Sequence, residues 1–134
     1  MRLILPILAL CVFVVSCGSD VVGPNGVPTP RQVPDEAIPQ PFGETFYFKY
    51  GWDQQNGPEG ILDMLLNQHV QIRAAWVPDS DHPGPCQVFA QLSQLIVELR
   101  RPDPHMLDYG FTQDATNVHL GVCNPFWLEY DFGR

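Results

Sequence analysis

Four stretches of this chain alternate between two sets of side chains with a period of two residues. They cover residues 44–52, 69–77, 118–123 and 126–132. Such alternation is typical of β-strands, because successive side chains of a strand point to opposite faces of a sheet. A sheet with an apolar face needs another element to cover that face. The sequence therefore predicts a small antiparallel sheet of about four strands with a covering element.

The covering element is predicted to be a helix at about residues 85–100. Its apolar side chains recur at helical spacing and span about a third of the helical wheel; they are Val88, Phe89, Leu92, Leu95, Ile96 and Leu99. Pro85 suits the first helical position and Pro102 ends the pattern. The fold class predicted is thus α+β, with this helix packed on the sheet. The apolar segment 61–66 is compatible with either a short helix or a buried strand.

The N-terminus begins with an apolar run at residues 3–15, behind the single basic residue Arg2. The run is too short to span a bilayer comfortably and suits the apolar region of a signal peptide. It ends in Val14-Val15-Ser16-Cys17. Here the alternatives are a lipid-anchored protein and an ordinary secretory signal with an incidental cysteine.

The motif at residues 14–17 resembles the lipobox of bacterial lipoprotein precursors. The resemblance covers the first 17 residues and the linker after them. It implies that residues 1–16 are a signal peptide that is removed, and that Cys17 becomes a lipidated N-terminus carrying fatty acids such as palmitate. Gly18 follows Cys17, which by resemblance to enterobacterial sorting implies the outer membrane where the cell envelope has one.

Residues 17–41 are predicted to be the lipidated cysteine and its tether, rich in proline and glycine. Prolines occur at positions 24, 28, 30, 34, 39 and 41. Proline removes backbone donors and favours an extended, solvated chain, so no core is expected here. Residues 42–134 are then predicted to form a single small domain.

The cysteines left after the signal peptide and the lipid anchor are Cys86 and Cys123. Exported proteins retain disulfides, and a small core gains from such a covalent link. A bridge closing this loop would contribute about 4 kcal/mol in the chain-entropy model. A disulfide between Cys86 and Cys123 is therefore predicted, with two separate buried thiols as the alternative.

The net charge of −8 and the scarcity of Lys and Arg clusters argue against nucleic acid as a partner. The acidic surface would also repel anionic headgroups, so attachment to a membrane depends on the acyl chains at Cys17. We expect no cofactor. The sequence has no nucleophile elbow and no glycine-rich phosphate loop, which gives no support to an enzyme.

The densest polar cluster is Asp79, Asp81 and His82, whose oxygen and imidazole donors could bind a divalent cation. The alternative is a solvated turn. The same segment, Asp79-Ser80-Asp81-His82-Pro83 followed by Cys86, resembles the Asp-Ser-Arg-Cys-Pro loop of small all-β envelope domains. The resemblance covers a handful of residues and lacks the arginine and the first cysteine. It implies an all-β sandwich as the alternative fold, with residues 95–99 as a strand.

Tyr47 and Trp127 fall on the faces opposite to the main apolar sets of their strands. If both side chains are exposed, they form a patch suited to binding protein or carbohydrate. The alternative is that a second helix or the segment 53–67 covers them. The preferred interpretation is a non-enzymatic lipoprotein of the bacterial envelope, with a binding or structural role. The alternatives are a divalent-metal-binding module that uses the 79–82 loop, and an inhibitor of an exogenous protease.

Overall fold

The structure is a computed structural model and describes residues 26–52, 56–85, 93–121 and 124–133. Within these ranges the chain forms five strands and one α-helix: β1 (Arg31–Pro34), β2 (Phe46–Tyr50), α1 (Gly57–Asn67), β3 (Ile72–Pro78), β4 (Gln94–Leu99) and β5 (Phe126–Asp131). Two short 3₁₀ helices, Asp35–Ala37 and Pro104–Leu107, lie in the connections.

All five strands belong to one sheet in the order β1-β5-β3-β4-β2. Every pair of neighbouring strands is antiparallel. The predicted α+β class is therefore confirmed, with five strands in place of about four. The strands predicted at residues 44–52, 69–77 and 126–132 correspond to β2, β3 and β5.

The predicted position of the helix is wrong. Residues 94–99 form strand β4, and all six residues of β4 are buried. Leu95, Val97 and Leu99 pack into the core on one face of the sheet and Ile96 into the core on the other. A strand buried on both faces carries a nearly continuous apolar run. Such a run also matches helical spacing over a short window. The part of the predicted helix at residues 86–92 lies outside the described residues.

The α-helix is α1, which resolves the ambiguity at residues 61–66. Pro58 lies in the first turn, where its missing N–H costs no helical hydrogen bond. Leu62 and Leu65 are fully buried and belong to the core cluster on one side of the sheet. This helix also excludes the all-β sandwich, although the strand that the alternative placed at residues 95–99 is present.

The prediction of a tether as far as residue 41 is wrong from Val27 onward, because Val27 is buried in the core. Strand β1 forms an edge of the sheet and pairs with β5. Asp35 donates its N–H to the carbonyl of Pro125 (3.1 Å), so by antiparallel alternation the neighbouring Pro34 does not face β5 and removes no bond from the pairing. The prolines of this segment are thus compatible with an edge strand.

The sheet is buried on both faces. The helix face is defined by Tyr47, Ala75, Val97 and Tyr130, which cluster with Leu62 and Leu65 of α1 and with Met106 and Phe111. The opposite face is defined by Phe48, Trp76, Ile96 and Trp127, which cluster with Val33, Ile38 and Phe42 of the N-terminal segment and with Val118 and Leu120. The segment 26–42 therefore contributes Val27, Val33, Ile38 and Phe42 to the two faces of the core.

Two further details differ from the sequence pattern. The register of β3 against β4 shifts between Ile72 and Ala74, which makes Arg73 the extra residue of a β-bulge. Because of this shift, Ile72 lies on the helix face and Ala74 on the opposite face. The strand predicted at residues 118–123 is absent from residues 118–121; residues 122 and 123 lie outside the described part of the chain.

Candidate functional site

The three cysteines with predicted roles lie outside the described residues. Lipidation of Cys17 and a disulfide between Cys86 and Cys123 therefore stay predictions. Within the ranges that the structure describes, no helix has the length and apolar character needed to cross a bilayer.

The predicted exposed patch of Tyr47 and Trp127 is wrong. Tyr47 is 3% exposed and Trp127 is fully buried. The two residues also lie in different core clusters, on opposite faces of the sheet. The alternative, cover by the segment 53–67, is correct for Tyr47, which packs with Leu62 and Leu65 of α1. Trp127 is covered instead by the N-terminal segment that was predicted to be a tether.

The hydrogen bonds of these two side chains are structural. The Tyr47 hydroxyl accepts from the N–H of Asp103 (3.0 Å). The indole Nε1 of Trp127 donates to the Oδ1 of Asp35 (3.2 Å) and to the carbonyl of Asn124 (3.0 Å). Tyr47 thereby links β2 to the segment after β4. Trp127 links β5 to the 3₁₀ helix after β1 and to the residue Asn124 before β5.

The loop after β3 is organised by the carboxylate of Asp79, which is 5% exposed. Its Oδ2 accepts from Gln32 Nε2 (2.8 Å) and lies 2.9 Å from His82 Nδ1. Its Oδ1 accepts from the N–H of Asp81 (3.1 Å). Burial raises the pKa of Asp79, but the hydrogen bonds from Gln32, His82 and the Asp81 backbone outweigh it and hold the pKa below its ordinary value.

This geometry favours a hydrogen-bonded turn over the predicted metal site at Asp79, Asp81 and His82. The side chains of Asp81 and His82 are exposed, while both oxygens of Asp79 bind donors of the protein. In the described ranges, no three or more His, Cys, Asp or Glu side chains are placed to hold a metal ion. The loop is a turn that Gln32 connects to β1, and the metal hypothesis gains no support from it.

A second buried carboxylate belongs to Glu129 of β5, which is 1% exposed. Its Oε1 accepts from Nη2 (2.7 Å) and Nε (3.2 Å) of Arg31, and its Oε2 accepts from the indole of Trp76 (2.8 Å). Hydrogen bonding and attraction to Glu129 raise the pKa of Arg31. The alternation in β5 placed Glu129 on the face of Trp127, but only the unforeseen strand β1 explains how its charge is compensated.

An open groove of about 520 Å³ lies between the end of β2 and the first turns of α1. Its apolar lining comes from Trp52, Ile61 and Met64, which are all half-buried against the helix-face core. Its polar lining includes Lys49, Asn56 and Asp63. A half-buried tryptophan beside donors and acceptors suits a ligand that has both apolar and polar surfaces.

Sequence reasoning did not single out this groove. The alternation of β2 placed Trp52 with the apolar set of that strand, and α1 was left open between two types of element. The groove forms where the end of β2 lies beside the first turns of α1. Comparisons of the chain with protein-family models, with curated proteins and with solved structures find no match.

Proposed function

We propose that this protein is a lipid-anchored lipoprotein of the bacterial envelope whose folded head has a binding role and no catalytic one. The observation that carries the anchor is the sequence Val14-Val15-Ser16-Cys17 at the end of an apolar run of signal-peptide length. The lipid on Cys17 holds the protein at the membrane, in the outer membrane where one exists.

The folded head begins close to the anchor. Val27 is already buried in the core, so the residues between Cys17 and the fold are 18–26. At the rise of an extended polyproline II chain, this length corresponds to about 30 Å, against about 75 Å for a tether that ends at residue 41. The head therefore works near the surface of its own membrane.

The groove beside Trp52 supports the binding role. Its lining combines apolar side chains with a cation, a carboxylate and an amide. Of the two partner classes expected from the sequence, a carbohydrate chain fits this lining better than a protein, because a sugar ring presents an apolar face together with hydroxyl donors and acceptors. The volume of about 520 Å³ lies within the range of small-ligand sites.

Metabolic labelling with an azide-bearing palmitate analogue tests the anchor. We expect label on the wild-type protein, recovered with membranes, and no label on Cys17→Ser. Cys11→Ser is the matched control, because it changes a cysteine of the same apolar leader. Equal labelling of wild type and Cys17→Ser would overturn the anchor.

Calorimetric titration of the purified protein with soluble peptidoglycan fragments tests the groove. We expect binding by the wild type and at least a tenfold weaker affinity for Trp52→Ala, because stacking on the ring is lost. Leu107→Ala is the control, since Leu107 is an exposed apolar side chain outside the groove. Absence of binding, or equal binding by Trp52→Ala, would contradict the proposal.

A further inference from the structure

Two arginines line a second cavity, near the end of β4. Because β2 and β4 are antiparallel, this cavity lies at the opposite end of the two strands from the groove beside Trp52. The cavity measures about 440 Å³ and is lined by Pro39, Arg73, Glu98 and Arg100. The chain has only seven Lys and Arg residues and a net charge of −8. The cavity therefore concentrates positive side chains on a molecule whose net charge is negative.

The β-bulge brings Arg73 to this cavity. The register of β3 changes between Ile72 and Ala74, and an extra residue in a strand redirects its side chain. Arg73 Nη1 lies 3.6 Å from Oε1 of Glu98. This separation is too long for a close ion pair with a hydrogen bond.

Arg100 is positioned by the end of the chain that follows β5. Its Nη2 donates to the carbonyls of Phe132 (3.2 Å) and Gly133 (2.5 Å). Arg100 is exposed, and among the described residues no acceptor binds its Nε or Nη1. The two carbonyls orient the guanidinium without cancelling its charge.

Among the described residues that line the cavity, the charges add up to one positive charge. Glu98 is mostly buried, and Arg73 at 3.6 Å balances its charge. Within this described set, Arg100 is the cation without a carboxylate partner. The two carbonyls use both N–H groups of Nη2, so Nε and Nη1 of Arg100 are the donors left for a ligand. Charge-assisted hydrogen bonds from these donors suit a carboxylate oxygen.

We propose that the cavity between Arg73 and Arg100 binds a singly charged carboxylate, with Arg100 as the residue that holds its oxygens. A carboxylate cancels the one positive charge, whereas a doubly charged phosphate leaves an excess of negative charge beside Glu98. The volume admits more than a carboxylate group, so the ligand extends beyond it, as a peptide C-terminus or a small organic acid does. The site is separate from the Trp52 groove and does not depend on the proposed function.

The test is an NMR titration of the purified chain with four probes: N-acetyl-Ala-Ala, its C-terminal amide, acetate and inorganic phosphate. We expect the dipeptide acid to shift the backbone signals of Arg73, Glu98 and Arg100, and the amide to shift none of them. Binding of acetate as strong as that of the dipeptide assigns the site to small acids, and stronger binding of the dipeptide assigns it to peptide ends. Equal binding of acid and amide, or preferential binding of phosphate, overturns the proposal.

Variants of the cavity sharpen the test. Arg100→Gln should weaken binding of the dipeptide acid about tenfold or more, and Arg100→Lys by less, since it keeps the positive charge. Arg101→Gln, with the same change of charge at a neighbour outside the cavity, should bind as wild type. Should Arg100→Gln fail to fold, Glu98→Gln still decides, because removal of this negative charge should strengthen binding several-fold; weaker or unchanged binding of Glu98→Gln would contradict the site.

Discussion

Arg31 and Glu129 are 98 positions apart in the chain, yet Nη2 of the arginine lies 2.7 Å from Oε1 of the glutamate. The side chain of Glu129 is 1% exposed, whereas that of Arg31 is 67% exposed. The pair joins the edge strand β1 to β5 in the sheet. A buried carboxylate without its partner destabilises a fold strongly, so this contact helps to hold the N-terminal segment in place.

Arg31→Gln tests this contact. We expect the variant to lower the free energy of unfolding by about 1–3 kcal/mol, because a buried carboxylate loses its charged donor. Urea unfolding followed by tryptophan fluorescence measures the difference. Arg101→Gln removes an exposed arginine and should change stability by less than about 0.5 kcal/mol. Equal stability of Arg31→Gln and wild type would show that the pair contributes nothing.

Asp79 should make the stability of the fold depend on pH. Its pKa is lower in the folded protein than its ordinary value, so the ionised carboxylate stabilises the fold at neutral pH. That contribution is lost as the pH falls below about 3.9 and through the folded-state pKa. Asp79→Asn should therefore be less stable than wild type at pH 7, by about 1–3 kcal/mol, and the gap should narrow in acid.

Unfolding curves at pH 7 and at pH 3 measure this gap. Asp81→Asn is the matched control, because the side chain of Asp81 is exposed and only its backbone N–H binds Asp79. A gap between Asp79→Asn and wild type that stays constant or widens in acid would contradict the role assigned to the ionised carboxylate.

The position of the helix can be checked by truncating Leu65, which is fully buried. Leu65→Ala removes apolar contacts with the helix face and leaves a cavity, so we expect a loss of about 2–5 kcal/mol. Leu107→Ala should cost far less, because Leu107 is 56% exposed. Thermal unfolding followed by circular dichroism compares them. Similar effects of both changes would contradict the packing of α1.

Replacing Gly110 by alanine should lower the stability of the fold, because the backbone at this position has a positive φ. Its φ is +83°, a region that side chains with a Cβ rarely adopt, and a Cβ there would lie 2.7 Å from Nζ of Lys49. The lysine can move, so the backbone strain is the larger cost, about 1 kcal/mol for Gly110→Ala. Gly43→Ala meets no atom within 4 Å and has no positive φ; its urea midpoint should stay near that of wild type. A midpoint for Gly110→Ala equal to that of Gly43→Ala would contradict the turn.

The sequence predicted those strands whose two faces differ in composition. Strands β2 and β5 showed the alternation directly, and β3 did so up to its bulge at Arg73. Strand β4 could not be distinguished from a helix, because all of its residues are buried and no polar face marks a period of two. The short apolar run at residues 61–66 made the sequence of α1 ambiguous, and the packing of Leu62 and Leu65 against the sheet decides in favour of a helix.

The largest error concerned the N-terminal segment. Its prolines indicated an unpaired chain, but Pro34 lies where an edge strand needs no donor. Once β1 covers the edge and Ile38 and Phe42 cover the opposite face, Trp127 is buried and Glu129 gains its partner. No local pattern predicts these contacts, because each joins residues far apart in the chain.

The proposed function depends on a lipid at Cys17 that holds this head at the bacterial envelope. Mass spectrometry of the protein extracted from its native membranes in detergent detects such a lipid. We expect a chain that starts at Cys17 with the mass of a diacylglyceryl group and fatty acid added to that residue. An N-terminal peptide that retains residues 1–16, or a Cys17 with a free thiol, would contradict it.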